Sequence, residues 1–406
     1  MSRSSREGAA ASDPSFSEET TLALQVVRRA LAEFVAAVPG DARRPTDLQK
    51  TLGVDSKICW QIFNVIRGDG PLSPAIHVPT LPALRRTMTA ARSAGVPPGV
   101  IRAVQTSLKD FERVVEVHAG TRPDFDAMVA AIAPDDSTDQ LQLKHRRSVY
   151  RGLSHIWGKQ IDVLSTTTLV RRSEHGTDRV ILTSKRGLRR LRPDAHIQVY
   201  GYRLGADTTH QPRETSAIEP GAIERFGAPL LSRFCSQPLP EFRMRADPEG
   251  WKNCELTGSS IGRLSDMDLA FATLSRDVPD SHDTDGRVWV GSNAMLTAPT
   301  GLLVQNLLVH RPSFGGLEPR LLVFAYATGT DAPKVMQSLA LPLREQIVPI
   351  GRADQIAQTP DDPDFPDMLG ACAERAGWDL SEFDGYRVRI QYPVLHTVVR
   401  QFFYLA

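Results

Sequence analysis

Cysteine is scarce in this chain. Cys59, Cys235, Cys254 and Cys372 are the only four among 406 residues, and they lie far apart with no CxxC spacing. That excludes a disulfide framework or a thiolate zinc site as the source of stability; the apolar context of at least two fits buried thiols in a reducing compartment. Long apolar runs are missing as well. No window reaches the roughly 18 apolar residues of a membrane span, and the opening MSRSSREGAAASDPSFSEE has no apolar core for a signal peptide. A soluble, cytoplasmic protein with no membrane partner is the expectation. The ten histidines fall into neither HxxxH nor HExxH spacing, and neither a P-loop nor a GxGxxG stretch is present, so no metal and no cofactor is expected. With 41% hydrophobic residues the chain is long enough to bury two cores without such help.

Charge is nearly balanced overall at +1, but it is unevenly spread. Residues 1 to 140 carry 16 Lys/Arg against 17 Asp/Glu, residues 141 to 203 carry 14 against 4, and residues 204 to 406 carry 18 against 26. A central block of +10 between neutral and acidic flanks is what a surface facing a polyanion requires; a cationic face paired with the acidic C-terminal part is the alternative.

Residues 1 to 14 are small and polar without periodicity, and read as a disordered tail. A helix starts at Ser15, whose spacing to Glu18 is that of a capping box, and Leu24, Val27, Leu31, Phe34 and Val38 mark its buried face. The stretch from Arg44 to Gly68 follows. Pro45 opens one short helix, Gly53 supplies a turn, Asp55 caps a second helix, and Leu48, Leu52, Val54, Cys59 and Ile62 take the positions that lock two such helices together. Over these roughly 25 residues the chain resembles bacterial helix-turn-helix regulatory proteins. Gln49 departs from that pattern, which places a small residue four positions before the glycine. The resemblance implies that Lys57, Gln61 and Asn64 contact bases and that Ser56 and Arg67 contact the DNA backbone. Trp60 and Phe63 on the same helix point instead to docking on a partner protein, and five Lys/Arg against four Asp/Glu between Asp41 and Gly70 make the motif nearly neutral.

Further helices are expected over Leu81–Ala94, Val100–His118 and Phe125–Ile132, before the acidic linker Pro134–Ser137. The basic block opens with a helix from Thr138 to Gly158 containing Arg146, Arg147 and Arg151. Strands are then expected over Ile161–Arg172, Arg179–Ser184 and His196–Leu204. Between the last two lies KRGLRRLR, read as a loop or short helix in which Lys185, Arg186, Arg189, Arg190 and Arg192 join Arg146 and Arg147 as phosphate contacts. Beyond it, strand-like runs joined by short connections predominate, among them Met267–Ser275, Leu302–His310, Arg320–Ala327 and Gln337–Leu343, with one helix over Asp364–Ala376.

The fold class expected is therefore α+β: a disordered tail (1–14), an all-helical domain (15–136) containing a helix-turn-helix (44–68), and a basic helix plus a β-rich, mainly antiparallel domain (137–406). The leading functional expectation is a non-enzymatic, DNA-binding transcriptional regulator. Its C-terminal domain would oligomerise as a homo-oligomer or sense a small-molecule ligand. A protein-interaction scaffold is the alternative. A remote third is a serine hydrolase through Ser260, because GSSIG at 258–262 is formally G-x-S-x-G, with His282, His310 and His396 as bases. The acidic turn from Asp280 to Asp285 lacks the glycine and glutamate of a calcium loop.

Overall fold

The structure, a computed structural model, describes residues 15–133, 136–203, 214–246, 251–283, 285–326, 338–356 and 359–405. The expected tail (1–14) and linker residues 134 and 135 lie outside these. The described residues form ten helices and fourteen strands, with helices first and strands predominating later, so the class is α+β. None of the described helices is long and apolar enough to cross a membrane. Two compact units divide at Lys144 and His145, inside a helix and later than the acidic linker.

The first unit is helical. Helix α1 (Phe16–Ala37) begins with the capping box the sequence announces: the Ser15 N–H donates to Glu18 Oε2 at 3.0 Å, and the Glu18 N–H donates to Ser15 Oγ at 3.4 Å. It is followed by α2 (Pro45–Leu52), α3 (Ser56–Arg67), α4 (Leu81–Ser93), α5 (Pro98–Ala119), α6 (Arg122–Ile132) and the start of α7 (Asp136–Trp157). Leu24, Val27, Leu31 and Phe34 of α1 share one core with Ile101, Val104, Leu108 and Phe111 of α5. Three- and four-residue spacing places each set on a single helical face, and burying it supplies most of each helix's stability. Arg122 ties α6 to the 3-10 turn at Ser73–His77, donating to the carbonyls of Ala75, Ile76 and Val78 at 2.8–3.0 Å.

The second unit begins with the rest of α7 and is built on three sheets. A seven-stranded sheet has the order β12 (Val348–Arg352), β13 (Phe383–Gln391), β10 (Thr300–His310), β1 (Lys159–Arg172), β2 (Thr177–Arg190), β7 (Met267–Val278) and β4 (Glu214–Ala217). A four-stranded sheet runs β11 (Arg320–Ala325), β14 (Thr397–Tyr404), β9 (Val288–Met295), β8 (Ser281–His282). A third runs β3 (Gln198–Arg203), β6 (Trp251–Leu256), β5 (Phe242–Ala246). Helices α8 (Ala222–Phe226), α9 (Arg311–Phe314) and α10 (Phe365–Ala376) complete the unit. The pairings are antiparallel as expected, except that β1 and β10 pair in parallel at the centre of the large sheet.

Register decides what lies between these layers. Thr168 and Gln305 sit on one face of the large sheet and reach the four-stranded sheet: Thr168 Oγ1 donates to Ser292 Oγ at 2.8 Å, and Gln305 Nε2 donates to the Ser292 and Val399 carbonyls at 3.1 Å. The opposite face carries Ser165, Ser184 and Arg186, and Arg186 holds the segment that leads into α10. Two expected elements are corrected. The run Lys185–Arg192 is not a loop or short helix, since β2 continues through it to Arg190. The run Gln337–Leu343 is not a strand; Ala340 makes only a single bridge to Phe324, and Gln337 lies outside the described residues.

All four cysteines are free and buried. Burial pushes Cys59, Cys235 and Cys254 up to about 11 and Cys372 up to about 12. The thiolate fraction at neutral pH is therefore negligible. A chromogenic disulfide reagent at pH 8 should label none of these thiols in the native protein within minutes and all four after guanidinium is added. A fast-reacting native thiol would contradict this burial.

Candidate nucleic-acid interface

Helix α2 starts with Pro45 at its first position, and the Asp47 carboxylate accepts from the N–H groups of Arg44 at 2.9 Å and Arg43 at 3.2 Å. It stops where Gly53 turns left-handed at φ +62°, a conformation costly for any side chain with a Cβ. Two residues later Asp55 caps α3, its Oδ1 accepting from the N–H of Lys57 at 2.7 Å and of Ile58 at 3.4 Å. Cys59, Ile62, Phe63 and Val65 are buried, which seats α3 on the unit's core. Arg28 of α1 closes the far end, donating to the Gly68 carbonyl at 2.7 Å and the Ile66 carbonyl at 3.3 Å. The helix is therefore held at both ends and along one side.

Its outer arc spans about 140° at 100° per residue. That arc brings together all five residues expected to meet DNA. Ser56, Lys57 and Arg67 are exposed, and Gln61 and Asn64 are half-buried. Arg67 is partly committed, because it donates to the Arg43 carbonyl and lies over the Phe63 ring at 4.9 Å. Trp60, half exposed, lies within the arc and meets His77 edge-on at 5.1 Å. Phe63 is only 5% exposed and belongs to the core, which corrects its expected role in docking a partner. The near-neutral charge count also gains a spatial meaning. Asp41 pairs with Arg43 at 2.7 Å, and Asp47 and Asp55 are taken up in capping, whereas Arg44, Lys50 and Lys57 are exposed and unpaired among the described residues.

The basic block is arranged differently from the expected phosphate-binding loop. Lys185 donates to the Val199 carbonyl, and burial, with Lys159 nearby, lowers its ammonium to about 8. Arg186 binds Asp268 at 3.2 Å, Asp362 at 2.9 Å and Asp364 at 2.6 Å. Arg189 pairs with Asp162 and, at 3.8 Å, with Asp266. Arg190 is 5% exposed and donates to the Ala195 and Leu256 carbonyls. Arg192 is exposed but paired with Asp194 at 3.3 Å, and Arg146 is paired with Glu345. These cations are committed inside the unit, so the dense run KRGLRRLR is not a free cationic surface. Arg147 differs: it is exposed on α7 with no partner among the described residues. Arg151 and His155, at four-residue steps from it, are exposed in the same way. Their signal in the sequence was the complete lack of Asp or Glu from Gln140 to Ile161.

Other sequence motifs resolve into structure. Ser260 sits in an exposed loop that leads through a 3-10 turn at Gly262–Ser265 into β7, so the strand-to-helix turn of a nucleophile elbow is not formed there. Ser260 hydrogen-bonds none of His282, His310 and His396. His310 instead joins Ser313 at 2.6 Å and Glu382 at 3.3 Å, with Ser313 only three residues along the same turn. In the acidic turn, Asp280 takes a bidentate pair with Arg172 at 2.6 and 2.9 Å, and Asp283 accepts from the N–H groups of Asp285 and Arg287 at 2.9 Å. Among the described residues no group of three or more His, Cys, Asp or Glu is placed to hold a metal ion.

The class these features define is an α+β protein of two units, one helical and one β-rich. No family model matches the chain, and no curated protein or solved structure is significantly similar to it.

Proposed function

We propose that the chain is a cytoplasmic DNA-binding transcriptional regulator in which α2 and α3 act as a helix-turn-helix. Lys57, Gln61 and Asn64 read base edges, Ser56 and Arg67 meet the sugar-phosphate backbone, and Arg147 and Arg151 of α7 neutralise phosphates. The β-rich unit oligomerises or senses a small ligand. The observation that carries this reading is the outer arc of α3: a rigidly capped helix on which two amides, a hydroxyl and two cations lie around the half-exposed Trp60. Of the carboxylates next to it, Asp47 and Asp55 face the N–H groups they cap and Asp41 is paired with Arg43, while Arg44, Lys50 and Lys57 are exposed.

The test starts from a duplex selected out of a random pool. Substituting Lys57→Ala and Gln61→Ala together should cost about a hundredfold in affinity for that duplex and little for random DNA, because each lost base contact is worth roughly 1–3 kcal/mol. Arg147→Ala with Arg151→Ala should weaken all duplexes alike and flatten the salt dependence by about two in slope. An unchanged affinity of the Lys57/Gln61 variant for the selected duplex would sink the reading. Trp60 favours a second reading, docking on a partner protein, since a half-exposed indole within the arc suits a protein pocket. Under that reading Trp60→Ala removes binding and the Lys57/Gln61 variant keeps it.

A further inference from the structure

Strand β12 meets β13 through a bulge. Tyr386 stands opposite Pro349 and Gly385 opposite Gly351, so Ile350 is the extra residue, and Gly351 takes φ +78°. A Cβ at position 385 would come within 2.7 Å of Ile350 Cγ1 and 3.0 Å of Leu308 Cδ2. The missing side chain of Gly385 therefore lets Ile350 tuck against the main core of the unit, while Pro349 and Gly351 line a cleft of about 460 Å³. Bulges re-aim side chains beside binding sites, and this volume lies within the roughly 300–1,000 Å³ of small-molecule sites.

The lining carries charge of one sign. Glu318, from the segment leading into β11, and Asp384, from β13, are its two carboxylates, and none of the lining residues is Lys, Arg or His. Neither carboxylate has an ion pair or a hydrogen bond among the described residues. Arg352, across the ladder from Asp384, pairs with Asp354 at 3.6 Å instead. Tyr386 lines the same cleft, its ring packed on the small core that contains Leu307 and Phe314. Burial, then Asp384 and Glu318, raise its phenol above the ordinary value, so both carboxylates act on one hydroxyl. The phenol stays neutral at physiological pH, and its ring face is of the kind that attracts a cation. Pro319, Ile347 and Pro349 supply apolar walls. Two like charges in one cleft repel each other, and a cation that spans them relieves this while its methylene chain covers the walls.

We propose that this cleft binds a small alkyl diammonium cation, with one ammonium on Glu318, the other on Asp384 and the chain over Tyr386. A lone metal ion suits it less: two carboxylates and a neutral phenol leave most of a hard cation's coordination positions unfilled, and no group of three or more His, Cys, Asp or Glu among the described residues is placed to hold one. The site gives the β-rich unit a class of ligand to sense, yet it stands whether or not α3 reads DNA, because all of its residues lie in that unit.

Calorimetry of the full chain with cadaverine at low ionic strength tests this directly. Binding at one site is expected, and pentylamine, with the same chain and a single charge, should bind at least about tenfold more weakly, as should magnesium chloride alone. Glu318→Gln changes an exposed side chain and Asp384→Asn keeps the shape of a half-buried one. Both variants should melt as the parent does, and each should lose about tenfold in cadaverine affinity. Glu224→Gln, at an exposed carboxylate of α8 outside the cleft, should lose nothing, which separates a site from general attraction to an acidic surface. A trilysine peptide presents the same ammonium groups from a protein source and should bind more weakly than the free diamine. Absent cadaverine binding, equal binding of pentylamine or magnesium, tighter binding of the peptide, or unchanged affinity in either cleft variant would overturn the proposal. No DNA enters the measurement, so its failure leaves the helix-turn-helix reading standing.

Discussion

Replacing Arg186 with Met is expected to destabilise the β-rich unit by about 3–5 kcal/mol at neutral pH, the loss seen when one partner of a buried ion pair is removed. The side chain of Arg186 is 11% exposed and that of Asp362 is 4% exposed. Asp268 and Asp364, its other partners, are 40% and 44% exposed and can return to water when the guanidinium is gone. Asp362 cannot. The cost thus comes from one orphaned carboxylate and not from counting three ion pairs. Asp364→Asn, touching only the exposed partner, should cost no more than about 1 kcal/mol. Arg186→Met combined with Asp362→Leu should recover much of the loss, because removing both charges also removes the desolvation term.

The same carboxylate makes the effect depend on pH. Burial already raises Asp362 above the ordinary aspartate value, and Arg186 is the main influence holding it down. Without Arg186 the folded-state value rises further. A carboxyl whose folded value exceeds its unfolded value of about 3.9 takes up its proton first in the folded state, so folding gains stability as pH falls through the folded value and loses it as pH rises. The gap between the parent and Arg186→Met should therefore be widest near neutrality and narrow on acidification. Urea denaturation at several pH values measures it, and a gap that stays constant or widens in acid would refute the assignment.

Phe111→Ala should be the most damaging single truncation of the helical unit, at about 3–5 kcal/mol, against a typical domain stability of 5–15 kcal/mol. Phe111 is 1% exposed and meets Phe125 edge-on at 5.3 Å; Phe125 in turn meets Phe16 at 5.6 Å. The Arg122 guanidinium lies 5.8 Å from the Phe111 ring and also holds the turn at Ser73–His77. Removing the ring leaves a cavity where α1, α5 and α6 converge, and none of these helices can collapse into it without breaking the others' contacts. Hydrogen exchange should record the loss as faster exchange of α1 and α5 amides. A loss below about 1 kcal/mol would mean that the site repacks.

The helices were legible to within a few residues because their signals are local. Ser15 and Glu18 lie three residues apart, Gly53 and Asp55 two, and the buried faces of α1 and α5 repeat within one turn. The arc carrying Ser56, Lys57, Gln61, Asn64 and Arg67 follows from the same periodicity. The exposure of Trp60 and the burial of Phe63 did not, since two large apolar residues three positions apart look alike until the neighbouring helices are in place. Read from sequence, strand β2 ends at Ser184, because five cations in eight residues resemble a solvated connection. Its continuation depends on acids that lie 27 to 178 residues away along the chain.

The α+β order of elements, the capped helices and the positions of the cations are written locally, in residues within a turn or two of each other. Which cations are free depends on long-range contacts. An isolated charge cannot be buried without a partner, and the partners of Arg186, Arg189 and Arg146 come from remote segments, so those side chains turned inward while Arg147, Arg151 and Arg243 stayed in solvent.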